Sequence, residues 1–174
     1  FRVMARAWSK TGESRRLFWG TLKTPEDIEE LRKRLNVKPR CVIIDAAWNA
    51  RMVYTWAANL DWVCIRGDHK RSWKHKVEER GKGWTWVEKP WSQPWYGDPD
   101  SNGLTIKGKK ALAFFISKPS TADRLQGLRD SGLWVEPKVE PMTKEETDYT
   151  DQMNSMMKVR KKPGIRPRAI VEFP

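Results

Sequence analysis

The chain has 174 residues and a formal charge of +12, from 34 Lys and Arg against 22 Asp and Glu. That length can enclose one domain with a real core, and the cation excess favours a polyanionic partner, nucleic acid ahead of an anionic membrane. No apolar run reaches the roughly 18 residues of a membrane span and no signal-peptide pattern opens the sequence, which argues against a membrane role.

Residues 1–9 (FRVMARAWS) and 14–22 (SRRLFWGTL) read as strands joined through Thr11-Gly12-Glu13, a hairpin turn signal. Thr24-Pro25-Glu26-Asp27 starts a helix, with Thr24 as N-cap and Pro25 at the first helical position. Ile28, Leu31 and Leu35 give it an apolar stripe, and it stops before Pro39. Cys41-Val42-Ile43-Ile44-Asp45 is an apolar run closing on a carboxylate, the pattern of a buried parallel strand. A helix over 50–59 follows, with Met52, Val53, Trp56 and Ala57 on one face, and then a second strand over 62–65.

From about residue 67 to 103 the chain becomes basic and tryptophan-rich, an insertion into a single domain spanning 1–174. Residues 110–116 return to strand. Ser117 or Ser120 caps a helix carrying Leu125 and Leu128, which ends at Ser131-Gly132. An irregular connection over 135–141 leads to Thr143-Lys144-Glu145-Glu146, a capping box, and to a helix holding Tyr149, Met153, Met156 and Met157. A basic tail over 158–168, broken by Pro163 and Pro167, precedes a last apolar run over 169–173. The alternation of strands and helices places the chain in the α/β class. Both ends read as cut, since Phe1 opens in mid-strand and a lone hairpin needs a further strand or helix to cover it.

The two cysteines, Cys41 and Cys64, both fall in predicted strands and read as buried thiols in a reducing compartment. Tryptophan is the compositional outlier, with 11 in the chain. Trp84, Trp86, Trp91 and Trp95 are better read as rings packing an irregular loop onto the domain; the alternative is a surface for stacking bases or docking a protein.

Asp45 carries the sharpest chemical signal. An ionised carboxylate at the C-terminal end of an apolar strand must be hydrogen-bonded, paired or metal-bound, and open α/β sheets place ligands at that end. Two readings stand open for it: a cap on the following helix, or a ligand for Mg²⁺. Asp68 ends the neighbouring strand, but Gly67-Asp68 reads as a turn. The stretch 66–82 holds seven Lys and Arg with His69 and His75. Its cations suit phosphates, although a solvated basic loop has the same composition. The histidines lack the spacing of a zincin helix, and either could shuttle a proton near neutral pH. There is no P-loop, no nucleophile elbow and no dinucleotide fingerprint.

The order Arg-Ala-Trp, Gly-Glu-Ser-Arg, Ile-Ile-Asp-Ala-Ala-Trp-Asn, Val-Tyr-Thr-Trp and Ile-Arg-Gly-Asp resembles the nuclease domain of tailed-phage terminase large subunits, in the GpA-like branch. The resemblance is best over residues 1–75, with a weaker echo from Phe114-Phe115-Ile116 to Asp148-Tyr149-Thr150-Asp151-Gln152. It implies an RNase H-like mixed sheet flanked by helices, lacking its first strand and C-terminal end. It also implies cleavage of concatemeric double-stranded DNA during packaging, with Mg²⁺ or Mn²⁺ in a two-metal site. The family's central acid falls on Asp45, and its first and last acids fall before Phe1 and beyond Pro174. The family commonly has a small residue or glycine after its central acid, and Ala46-Ala47-Trp48 departs slightly from that pattern. Arg66, His69, Lys70, Arg71, Lys74 and Lys76 become the DNA-backbone contacts. The implied partners are the portal and the small terminase subunit, in a homo-oligomeric motor of the host cytoplasm during virus assembly. A different class stays in play: a non-catalytic nucleic-acid-binding or motor-docking module in which Asp45 is only a cap.

Overall fold

The computed structural model describes residues 1–47, 49–79, 81, 83–97, 110–138 and 143–155. They form a mixed α/β fold with two compact units, one of Phe1–Thr24 with the chain from Ala122 onward, the other Pro25–Thr121.

In the first unit, β1 (Arg2–Trp8) and β2 (Ser14–Thr21) form the expected antiparallel hairpin, paired from Arg2↔Thr21 to Trp8↔Ser14 with a bulge at Leu17 that shifts the register between Ala5 and Arg6. Its turn closes with the Ser9 amide donating to the Glu13 carbonyl at 2.8 Å. The two-residue strand β9 (Trp134–Val135) pairs in parallel with Ser14 and Arg15. It is invisible to sequence patterning, because two residues are too few to show a period. α3 (Lys118–Asp130), which belongs to this unit from Ala122 onward, ends in a Schellman turn: Gly132 has φ +70° and the Leu133 amide donates to the Leu128 carbonyl at 2.9 Å. α4 (Lys144–Ser155) begins with the Thr143 hydroxyl oxygen accepting the Glu146 amide at 3.2 Å. The Glu146 carboxylate does not complete the capping box; it pairs with Arg16 at 2.7 Å. The basic tail, the last apolar run, and Met156 and Met157 lie outside the described residues.

The interior of this unit is polar. The side chains of Arg6 and Arg16 are 5% and 3% exposed, and both guanidiniums meet Glu136, Arg6 Nη1 at 2.7 Å and Arg16 Nε at 3.0 Å. Tyr149 donates its hydroxyl to the same carboxylate at 2.5 Å. Arg6 lies 3.5 Å over the Trp134 ring and Arg16 4.3 Å over the Tyr149 ring. Arg6 has every guanidinium nitrogen hydrogen-bonded, whereas Arg16 is held by charge and the Tyr149 ring and keeps one buried nitrogen, Nη1, without a hydrogen-bond partner.

The second unit holds the sheet β3 (Ile43–Asp45), β4 (Val63–Asp68), β8 (Ala111–Ser117) and β7 (Trp95–Gly97), in that spatial order. The first three run parallel and β7 is antiparallel to β8. α1 (Pro25–Arg34) buries Ile28 and Leu31 of its expected stripe. α2 (Ala50–Leu60) packs on the sheet with Val53, Tyr54, Ala57 and Ala58 buried. Val53 and Ala57 are buried as the periodicity expects, whereas Met52 and Trp56 are half-buried and Tyr54 and Ala58 are buried in their place. Trp62 is 1% exposed, and its indole donates to Glu29 at 2.7 Å, tying α1 to the start of β4. Arg32 grips the same carboxylate and, through that hydrogen bond, holds it below the usual carboxylate range.

Two expectations are corrected. The run 41–45 is not one buried strand: Pro39–Cys41 is a 3₁₀ turn, the strand covers three residues, and Ile43 is 62% exposed. Among the described residues β3 pairs on one side only, so it is an edge strand with one open edge. Cys41, in the 3₁₀ turn, is exposed, while Cys64 is fully buried in β4; both thiols are free. Burial pushes the Cys64 thiol up to about 12.

The basic stretch after residue 66 is largely ordered strand rather than loop. Arg66 and Asp68 belong to β4, and β5 (Trp73–Glu79) pairs with β6 (Gly83–Lys89) in a separate antiparallel hairpin. No helix among the described residues is long and apolar enough to cross a membrane.

Candidate functional site

Asp45 stands at the C-terminal end of β3 with its side chain exposed. The ladder continues one step past it, where the buried Ala46 donates its amide to the Ile65 carbonyl at 2.9 Å. Asp45 Oδ1 accepts the Ala47 amide at 2.9 Å, a local turn bond. The cap of α2 is Asn49, whose side chain accepts from the Met52 amide, so Asp45 is not the helix cap.

Strand pairing decides what can join Asp45. Paired residues share a face of the sheet, and successive residues alternate. Ile44, Cys64 and Ala113 pair in line, and Trp95 pairs with Ala113. Trp95 meets Tyr54 of α2 edge-on at 5.7 Å, so this is the face that α2 covers. Asp45 pairs with Ile65 and so lies on the opposite face, with Ile43 and Phe114. Asp68 is three residues beyond Ile65, which places it back on the α2 face, roughly 10 Å further along the strand. Both carboxylates cannot hold one Mg²⁺, whose ligands sit about 2.1 Å from the ion. Asp68 Oδ1 instead accepts the Lys70 amide at 2.7 Å, the turn the sequence suggested. Among the described residues no three His, Cys, Asp or Glu side chains group to hold a metal.

The basic residues separate into four places. Arg66 shares the α2 face, where its charge opposes the rise that burial imposes on the Tyr54 hydroxyl. His69 is exposed in the turn after β4. Lys70, Arg71 and Lys74 line one open groove of about 910 Å³, together with Trp73, Gln93 and Trp95. Trp95 and Phe115, ring centroids 5.7 Å apart and nearly parallel, form part of its wall. Glu88 is the one carboxylate among the lining residues. Lys76 lies outside the groove on the exposed face of the hairpin, its Nζ 5.0 Å over the Trp84 ring.

His75 does not face the groove. It is 6% exposed, and its Nε2–H donates to the Trp91 carbonyl at 2.6 Å, holding the hairpin to the chain that follows it. That correction removes it as a proton shuttle. Gly67 has a local reason: a Cβ there would stand 2.5 Å from Lys118 Cε, so its hydrogen leaves room for that side chain. Trp73, Ser92, Gln93 and Phe115 also line the groove, and sequence reasoning misses them because they come from three separate segments with no common spacing. Comparison with protein-family models, curated proteins and solved structures finds no match to this chain.

Proposed function

We propose that the chain is part of an RNase H-like, metal-dependent endonuclease domain of a viral DNA-packaging terminase, which cuts concatemeric double-stranded DNA. The observation that carries the reading is the exposed carboxylate of Asp45 at the C-terminal end of a parallel strand. An antiparallel hairpin, a helix, a strand ending in Asp, a helix and a parallel strand follow one another in the order the resemblance requires. With Oδ1 turned to the Ala47 amide, Asp45 can offer its second oxygen as one ligand to Mg²⁺ or Mn²⁺. The resemblance places the remaining acidic ligands outside this sequence. The metal would supply an activated water and charge neutralisation at the phosphate. Lys70, Arg71 and Lys74 would hold the DNA backbone, and the portal and small terminase subunit would be partners of the intact protein.

Asp45→Asn tests this, because the amide oxygen can still accept the Ala47 amide while the charge is gone. Folding and DNA binding should be retained, and Mg²⁺-dependent cleavage by the intact protein should vanish. Cleavage at the parent rate would remove Asp45 from the chemistry. The second reading, a non-catalytic nucleic-acid-binding module, is favoured by the same turn bond, which gives Asp45 a structural duty of its own. Mn²⁺ separates the two: paramagnetic broadening of Asp45 and its neighbours is expected for a nuclease and absent for a binding module.

A further inference from the structure

The hairpin β5–β6 has two unlike faces. Pairing places Trp73, His75, Val77, Thr85, Val87 and Lys89 on one of them, where no side chain is exposed and His75 is buried. The other carries Lys74 opposite Glu88, Lys76 opposite Trp86, and Glu78 opposite Trp84. All six are exposed, with Trp84 at 62% and Trp86 at 65%. Indole rings left this open on a strand forgo a large burial term. The alternating pattern that positions them also positions lysines beside them, and Lys76 lies over the ring of Trp84.

Charge decides what such a face can bind. It offers two lysines and two glutamates, so Coulomb attraction alone holds no polyanion there. What it offers in excess is π surface, from two tryptophans two residues apart on one strand, about 7 Å along it. Bare ring faces are what such a π surface stacks on. In a duplex those faces are covered by neighbouring base pairs; in a single strand they are free. The lysines beside the rings then meet the phosphates of the same strand. Lys74 and Glu88 belong both to this face and to the lining of the groove, which also holds Lys70, Arg71, Trp73 and Trp95.

We propose that the exposed face of the β5–β6 hairpin and the adjoining groove form a track for single-stranded nucleic acid, with bases stacking on Trp84 and Trp86 and phosphates running past Lys74 and Lys76 to Lys70 and Arg71. The track rests on the nucleic-acid reading above and narrows it to an unpaired strand. Within a DNA-cutting protein it would hold a strand separated from its complement.

The test is fluorescence anisotropy of the full chain with a labelled 15-nucleotide single strand and with the same sequence as a duplex. Trp84→Ala with Trp86→Ala should weaken single-strand binding roughly tenfold or more and change duplex binding less than about twofold, with the salt dependence of both unchanged. Trp84→Phe with Trp86→Phe should keep most of the affinity, whereas the leucine pair, apolar without a π face, should not. Both rings are exposed, so circular dichroism of the variants should match the parent. Equal losses on both nucleic acids, or rescue by leucine, would overturn stacking. Unchanged single-strand affinity with a loss of self-association in sedimentation would assign the rings to a contact between copies and overturn the proposal. Duplex binding without single-strand binding sinks the track and leaves the nucleic-acid reading standing; binding of neither sinks both.

Discussion

Glu136→Gln is the sharpest stability test of the first unit. The substitution keeps the size of the side chain and one oxygen acceptor but removes the charge that Arg6 and Arg16 share. Breaking a buried ion pair costs about 3–5 kcal/mol, because the surviving partner is left charged and dry. Three features lower that figure. Glu136 is 32% exposed, so water screens part of the imbalance. Arg6 still donates to the Ser14 hydroxyl at 3.0 Å, the Ser14 carbonyl at 3.1 Å and the Val135 carbonyl at 2.7 Å. Arg16 still pairs with Glu146. The expected loss is about 2 kcal/mol. In urea, with near-ultraviolet circular dichroism reporting the packed rings of Trp19 and Tyr149 (centroids 4.8 Å apart), the midpoint should fall by about 1 M at constant slope. The pair Arg16→Met with Glu146→Leu should cost less than Arg16→Met alone, since both desolvated charges leave together. An unmoved midpoint for Glu136→Gln would show that the carboxylate contributes nothing net, and the account of the polar interior would fail.

Three further outcomes follow from separate parts of the molecule. Alanine at Lys70, Arg71 and Lys74 together should flatten the slope of log affinity for duplex DNA against log salt by about 2–3, at roughly 0.9 for each phosphate no longer neutralised; an unchanged slope would take the groove out of the interface. Burial first, and the Glu136 hydrogen bond second, push the Tyr149 hydroxyl up to about 12. Because the folded state holds this proton more tightly than the unfolded chain, the associated stability is complete below pH 10 and is lost as the pH rises from about 10 to about 12. Absorbance at 295 nm should show Tyr149 titrating late, with Tyr54, which burial also raises, above the ordinary tyrosine range; all titrating near 10 would contradict the burial of both. A thiol reagent should modify Cys41 quickly in the native chain and Cys64 only on unfolding; rapid modification of both would contradict the packing of β4.

Local signals in the sequence determined much of the fold. The β1–β2 hairpin, the Pro25 helix start, α2 after Asp45, the Gly132 stop and the Thr143 cap were all legible, because turns, caps and periodic stripes are set by neighbours within a few residues. The apolar run before Asp45 located the carboxylate correctly at a strand end. Tertiary structure decided the rest. Only pairing shows that β3 is a three-residue edge strand, with Cys41 outside it in a turn and Ile43 on the face opposite α2. Only the odd offset from Ile65 to Asp68 puts the two aspartates on opposite faces of one sheet. His75 reads in sequence like any loop histidine, and it is the hairpin, with Trp91 beyond it, that buries it. The groove gathers residues from 70 to 115, and the paired strands that bring them together owe their contacts to hydrogen bonds and burial across the sheet, quantities that no window of the sequence contains.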